Sequence, residues 1–127
     1  MEYADPLAVA EAYVAKRLTY RFDDPAGYTA ALTAPALTTP AFSARSRASA
    51  AALARVATAQ ETSAVRVGRV EPQGEAPNSH RTRYVVVACT VTTAYRGGDD
   101  TAPAQWTVRL LQGPNGQWRV DGVLSTD

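Results

Sequence analysis

Apolar residues recur at helical spacing up to about residue 61 and at a spacing of two beyond it. Asp5-Pro6 supplies an N-cap followed by proline at the first helical position, where the missing N–H costs nothing. Leu7, Ala10, Val14 and Leu18 then form one buried stripe, which predicts a first helix running to about Phe22. Asp24-Pro25 repeats the start signal and predicts a shorter helix to about Leu32, stopped before Pro35. Thr39-Pro40 opens a third, with Phe42, Ser49, Ala52, Leu53 and Val56 on one face and Arg47, Ala51 and Arg55 opposite. Residues 43–47, Ser-Ala-Arg-Ser-Arg, form helix poorly beside the alanine run that follows, so this helix can break there.

Val65 and Val67 alternate with Arg66 and Gly68, the pattern of a half-buried strand. A polar loop over 72–80 leads to the longest strand, Thr82 to Tyr95, apolar on both faces in its first half. Gly97-Gly98-Asp99-Asp100 turns the chain into a third strand, about Ala104 to Gln112. Gly113-Pro114-Asn115-Gly116 is a hairpin loop, and a fourth strand runs from Gln117 to Leu124. Short connections imply an antiparallel meander. The expectation is an α+β fold, three N-terminal helices packed on a bent four-stranded antiparallel sheet in a cone-like roll. Alternation places Val65, Val67, Val85, Val87, Cys89, Val91, Trp106, Val108, Leu110, Trp118 and Val120 inward. Arg66, Thr90, Thr92, Thr107, Arg109, Gln117, Arg119 and Asp121 face outward. The tryptophans, in phase with Val and Leu, are expected as core anchors.

Composition narrows this picture. The chain of 127 residues is one domain's worth, and residues 1–127 are read as a single domain. Thirteen basic against twelve acidic residues leave a formal charge of +1, which excludes a broadly basic nucleic-acid binder. All but one of the basic residues are arginine, and 25 positions are alanine. A single cysteine cannot form an intramolecular disulfide, and Cys89 lies in an apolar run where a buried, inert thiol is expected. No segment has the length of apolar residues needed to cross a bilayer, and residues 1–5 lack the features of a signal peptide.

Candidate chemistry is sparse. Gly97-Gly98 and Gly113–Gly116 join strands and open no helix, so no phosphate loop is expected. One Cys and one His cannot make a Cys/His metal cluster, and His80 sits in the polar loop without a positioned partner. No catalytic residue, cofactor site or metal site is nominated. Two surfaces stand out. Tyr13, Arg17 and Tyr20 lie beside the buried stripe of the first helix, as a candidate pocket rim or as amphipathic side chains with wet tips. Arg66, Arg109 and Arg119 share the outer sheet face, as a candidate partner-binding face for acidic groups or as cross-strand ion pairs with Asp121 and Glu71 nearby.

The stretch Arg17-Leu18-Thr19-Tyr20-Arg21-Phe22-Asp23-Asp24-Pro25-Ala26-Gly27-Tyr28, with Leu32-Thr33 and Leu37-Thr38-Thr39-Pro40-Ala41-Phe42, resembles a group of actinobacterial domains. The closing hairpin, Trp106-Thr107-Val108-Arg109-Leu110 and Gly116-Gln117-Trp118-Arg119-Val120, resembles theirs too. They belong to the nuclear-transport-factor-two-like (cystatin-like) superfamily. Nearest are the conjugative-transfer scaffold subunits of type IV secretion systems in Gram-positive bacteria and the mammalian-cell-entry-associated membrane proteins. The resemblance implies a bent sheet wrapped on three helices, carried at the extracytoplasmic face of the membrane by an N-terminal anchor that this chain lacks. It further implies a non-catalytic scaffold role with protein partners in a transfer machine, self-association into a homo-oligomer, and no direct contact with nucleic acid. The alternative from the same superfamily is a small-molecule-binding or isomerase-type domain using the cone between sheet and helices. Such isomerases carry a strand hairpin between the second and third helices, for which residues 33–40 leave no room, and an acid in an apolar cavity, which the inward positions here lack.

Overall fold

The computed structural model describes residues 2–126; Met1 and Asp127 lie outside the described residues. Four helices precede four strands: α1 (Pro6–Arg17), α2 (Pro25–Thr33), α3 (Pro40–Arg45), α4 (Ala50–Ala59), β1 (Thr62–Pro72), β2 (Thr82–Tyr95), β3 (Gly98–Gln112) and β4 (Trp118–Thr126). Every helix starts where a side chain can take an orphan N–H. Asp5 accepts from Leu7, Asp24 from Gly27, Thr39 from Phe42 and Ser49 from Ala52, and proline follows the first three caps. The strands form one antiparallel sheet in the order β1-β2-β3-β4, with the helices against one face. The α+β expectation holds, with two changes to the helices.

The first helix stops at Arg17, five residues short of the expected Phe22. The hydroxyl of Thr19 bonds back to the carbonyl of Ala15. Tyr20 then leaves the helical path to exchange backbone hydrogen bonds with Ser63, 3.1 Å and 2.9 Å, at the head of β1. The predicted third helix is two, because the chain breaks at Ser46 and restarts at the Ser49 cap. The three-helix count therefore becomes four, with the break inside the Ser/Arg-rich stretch that helix propensity disfavours.

The second strand runs from Thr82 to Tyr95 as expected. The third begins at Gly98 rather than near Ala104, because the turn is only Arg96-Gly97 and Tyr95 already pairs with Gly98. Gly98 takes φ 149°, a value that suits glycine. Pro103 is accommodated because β4 does not reach that far along β3, so its missing N–H faces an open edge.

Bulges at Gly68 in β1 and at Asp121 and Leu124 in β4 each insert one residue against the partner strand. They reset the alternation, so that Val70 and Val123 join the core set where strict period two would have pointed them out. All eleven positions expected inward pack in the core built on Val9, Ala10, Tyr13 and Val14 of α1. A second, smaller cluster gathers Tyr28, Leu32 and Val56 with Tyr20, Phe22 and Leu53.

Gln60 ends α4 in the left-handed conformation, φ 53° and ψ 43°, and is exposed. A non-glycine residue there costs about 1–2 kcal/mol relative to glycine, partly offset by glycine's greater unfolded-state entropy. Gln60→Gly is expected to raise stability by roughly 0.5 kcal/mol in urea denaturation; a fall would mean that the Gln60 side chain holds the α4–β1 corner.

Candidate functional site

The wall between α1 and the sheet is aromatic. Tyr13 is 2% exposed, and its ring meets Phe42 at 6.1 Å and Trp106 at 6.4 Å in tilted and edge-on contacts. Such pairs add about 0.5–1.5 kcal/mol each beyond burial. One turn along α1, the guanidinium of Arg17 lies 5.9 Å from the Trp106 ring centroid. Together with Leu32, Ser46 and Val123 they line a depression of about 230 Å³, open to solvent at the mouth of the cone. Burial pushes the Tyr13 phenol above its ordinary value, with Arg17 pulling the other way. The depression can offer a cation and a phenol at the rim of an apolar floor, and no carboxylate among its lining residues.

Tyr20 is not part of this rim. Because α1 ends at Arg17, Tyr20 swings into the second cluster, where its ring meets Tyr28 at 4.8 Å. Its hydroxyl donates to Glu61 Oε2 at 2.5 Å, and Arg55 Nη1 donates to Glu61 Oε1 at 3.1 Å. Glu61 is 6% exposed, a buried carboxylate that periodicity could not single out since it lies at the α4–β1 corner on neither pattern. The available signal was Arg55, six residues earlier, on the far side of a chain reversal at Gln60. Each Glu61 oxygen accepts one of these bonds, so the carboxylate ties α4 and the α4–β1 corner to the segment that follows α1.

The three outer-face arginines have different surroundings. Arg66 is exposed on β1 opposite Thr90, which in turn faces Pro103. That puts it roughly 20 Å from Arg109 along the sheet, at about 3.4 Å per residue. Arg109 Nη2 donates to Asp121 Oδ2 at 2.6 Å, while Asp121 Oδ1 accepts from the Thr39 hydroxyl at 2.8 Å. The bulge at Asp121 aims its carboxylate at both partners. Arg119 stacks 4.3 Å from the Tyr3 ring centroid and donates to Gln117 Oε1 and the Trp118 carbonyl. Glu71 pairs with Arg69 at 3.5 Å, so its charge is turned to a neighbour outside the trio. The sheet thus brings Arg109 and Arg119 to one end and leaves Arg66 apart.

Cys89 is buried, and desolvation pushes its thiol up. Among the described residues no three of His, Cys, Asp and Glu converge as a metal site, and no helix is long and apolar enough to cross a membrane.

No protein-family model matches the sequence, and neither does any curated protein. Among solved structures, an Ntf2 like protein involved in plasmid conjugation superposes with a TM-score of 0.63 at 12% identity. The match takes in 94% of this chain. The fold is Ntf2-like. The chain spans 46% of that structure's length. In this Ntf2-like cone, residues 34–39 run directly from α2 to α3, and Thr38 bridges in parallel to Val120 at the β4 edge. No hairpin intervenes between the two helices, as the length of that segment led one to expect.

The Tyr20 phenol is held well above its ordinary value of 10.0, first by burial and then by donating to Glu61. The native state therefore keeps a proton that the unfolded chain releases, so stability is full below about pH 10 and falls as pH rises beyond it. Tyr20→Phe should cost about 1–3 kcal/mol at pH 7 and flatten the alkaline decline in a urea series from neutral to strongly basic pH. An unchanged alkaline slope would assign the effect to Tyr13, whose shift has the same sign.

Proposed function

We propose that this Ntf2-like chain is a non-catalytic scaffold domain of a conjugative DNA-transfer machine, working by self-association and contact with protein partners. The observation that carries the reading is the likeness of fold, over 94% of the chain, to a protein involved in plasmid conjugation. The interior supports it. The sheet's inward positions are Val, Leu, Trp and Cys, and the one buried carboxylate among the described residues, Glu61, is committed to Tyr20 and Arg55. A general acid or base needs a shifted carboxyl facing a cavity, and the cone mouth has none among its lining residues. In this reading the domain stands at the extracytoplasmic face of the membrane, carried by an anchor outside these residues. Its partners are proteins of the machine, and nucleic acid is not contacted directly.

A second reading is small-molecule binding at the cone mouth, favoured by Arg17 and Tyr13 beside the 230 Å³ depression. Phe42 and Trp106 occupy the space behind it, so any ligand would sit on the surface and not within the cone.

A mating assay separates the two. In a donor carrying the transfer system that encodes this chain, in-frame removal of the domain is expected to lower transfer by orders of magnitude, while Arg17→Ala transfers like wild type. Undiminished transfer on removal would sink the scaffold reading. Loss of transfer in Arg17→Ala, with a normally folded protein, would favour the cone-mouth reading instead.

A further inference from the structure

The sheet order leaves one side of β1 without a strand neighbour, and most of that edge is open. Ser63 gives its N–H and C=O to Tyr20 on the open side, so by alternation the main-chain groups of Val65 and Val67 point the same way. At the far end the Gln73 N–H is turned inward, to the Tyr84 carbonyl on β2. Between the two the Gly68 bulge shifts the phase by one, and the outward set continues as Val70 and the Pro72 carbonyl. Among the described residues no other backbone segment bonds to Val65, Val67 or Val70 on that side. Their side chains pack on the core and are only half-buried.

An edge of this length is normally blocked by charges or a bulge. Here both are placed so that they fit a copy of themselves. The open stretch runs from Val65 to Pro72, and its midpoint falls between Gly68 and Arg69. Turned end for end about that midpoint, it is self-complementary. Val67 meets Val70, both on the core side of the sheet, and Val65 meets Pro72. Arg66 meets Glu71, both exposed on the outer side. Arg69 meets Gly68, which has no side chain to oppose it. A slip of one residue would set core-side positions against outer ones. Glu71 is engaged only by Arg69, at 3.5 Å with the two side chains 51% and 69% exposed, so it has room for a second cation.

We propose that β1 pairs antiparallel with β1 of a second copy of this chain, about a two-fold axis between Gly68 and Arg69. Val67 of one copy and Val70 of the other exchange backbone hydrogen bonds, and the Val65 N–H reaches the other copy's Pro72 carbonyl. Arg66 meets the other copy's Glu71, and each contact is made twice. The two sheets become one, with both helical layers on the same side and both outer faces left free. The ladder stops at Pro72, where the missing N–H asks for no partner. This rests on the self-association in the reading above and names its surface.

Sedimentation velocity over a micromolar to submillimolar series, with deuterium exchange of the backbone amides at both ends of the series, tests it. Wild type is expected to dimerise, and the Val65, Val67 and Val70 amides to exchange about tenfold more slowly in the dimer. Arg66→Glu and Glu71→Arg are each expected to weaken the dimer by about tenfold, since like charges then face one another at both contacts. The double variant Arg66→Glu/Glu71→Arg should recover it, because the opposed pairs are restored with their signs exchanged; this recovery also shows that neither change unfolds the chain. Dimers whose β1 amides exchange as fast as in the monomer, or a double variant no tighter than the single ones, would overturn this pairing while leaving self-association standing. Monomers alone from wild type would remove self-association itself, and masses growing past two would overturn the reciprocal arrangement.

Discussion

The helical layer is fastened to the two sides of the sheet by backbone hydrogen bonds, and most of the architecture follows from those two joints. On the β1 side Tyr20 and Ser63 exchange bonds, with the Ser63 hydroxyl also donating to the carbonyl of Leu18 at 2.7 Å. On the β4 side Val120 donates to Leu37 and accepts from Thr39. Each joint occupies strand groups that would otherwise lie unpaired at a sheet edge. Each also fixes where a helix must stop. The first requires α1 to end before Tyr20, and the second puts the α2–α3 connection directly beside the strand, where Thr39 caps α3 and at the same time holds Asp121.

Buried polar residues are the hardware of these joints. Ser63 and Thr38 are each 4% exposed, and their hydroxyls are bonded to carbonyls at the ends of α1 and α2. Left unsatisfied, such groups would cost about 1–3 kcal/mol each. Satisfied, they position the helices more narrowly than apolar packing does, since an oxygen must meet a given carbonyl. The Tyr20–Glu61–Arg55 group does the same for α4, tying it to the segment that follows α1.

The strands were legible in the sequence because a half-buried strand writes its burial as alternation, and the inward set of Val, Leu, Cys and Trp needed only that. Helix caps were legible for the same local reason, three of them being Asp or Thr followed by proline. What escaped was set by contacts across the chain. The end of α1 depends on Ser63, forty-three positions beyond Tyr20, and the candidate rim of Tyr13, Arg17 and Tyr20 came apart with it. The bulges at Gly68, Asp121 and Leu124 are decided by the partner strand, so the return of Val70 and Val123 to the core could not be read from period two. Glu61 lay hidden because a charge next to a helix end reads as solvated until a tyrosine from another element is found over it. Among the outer arginines, composition and alternation supplied the face, while pairing with Asp121 and stacking on Tyr3 decided which charge remains open.

The lone thiol has a consequence for any assembly of copies. Cys89 faces the helices from the middle of β2, out of reach of a thiol on another molecule. Any copies that did pack together would therefore be insulated from disulfide cross-linking even where the surroundings are oxidising, and would be held by non-covalent contacts alone.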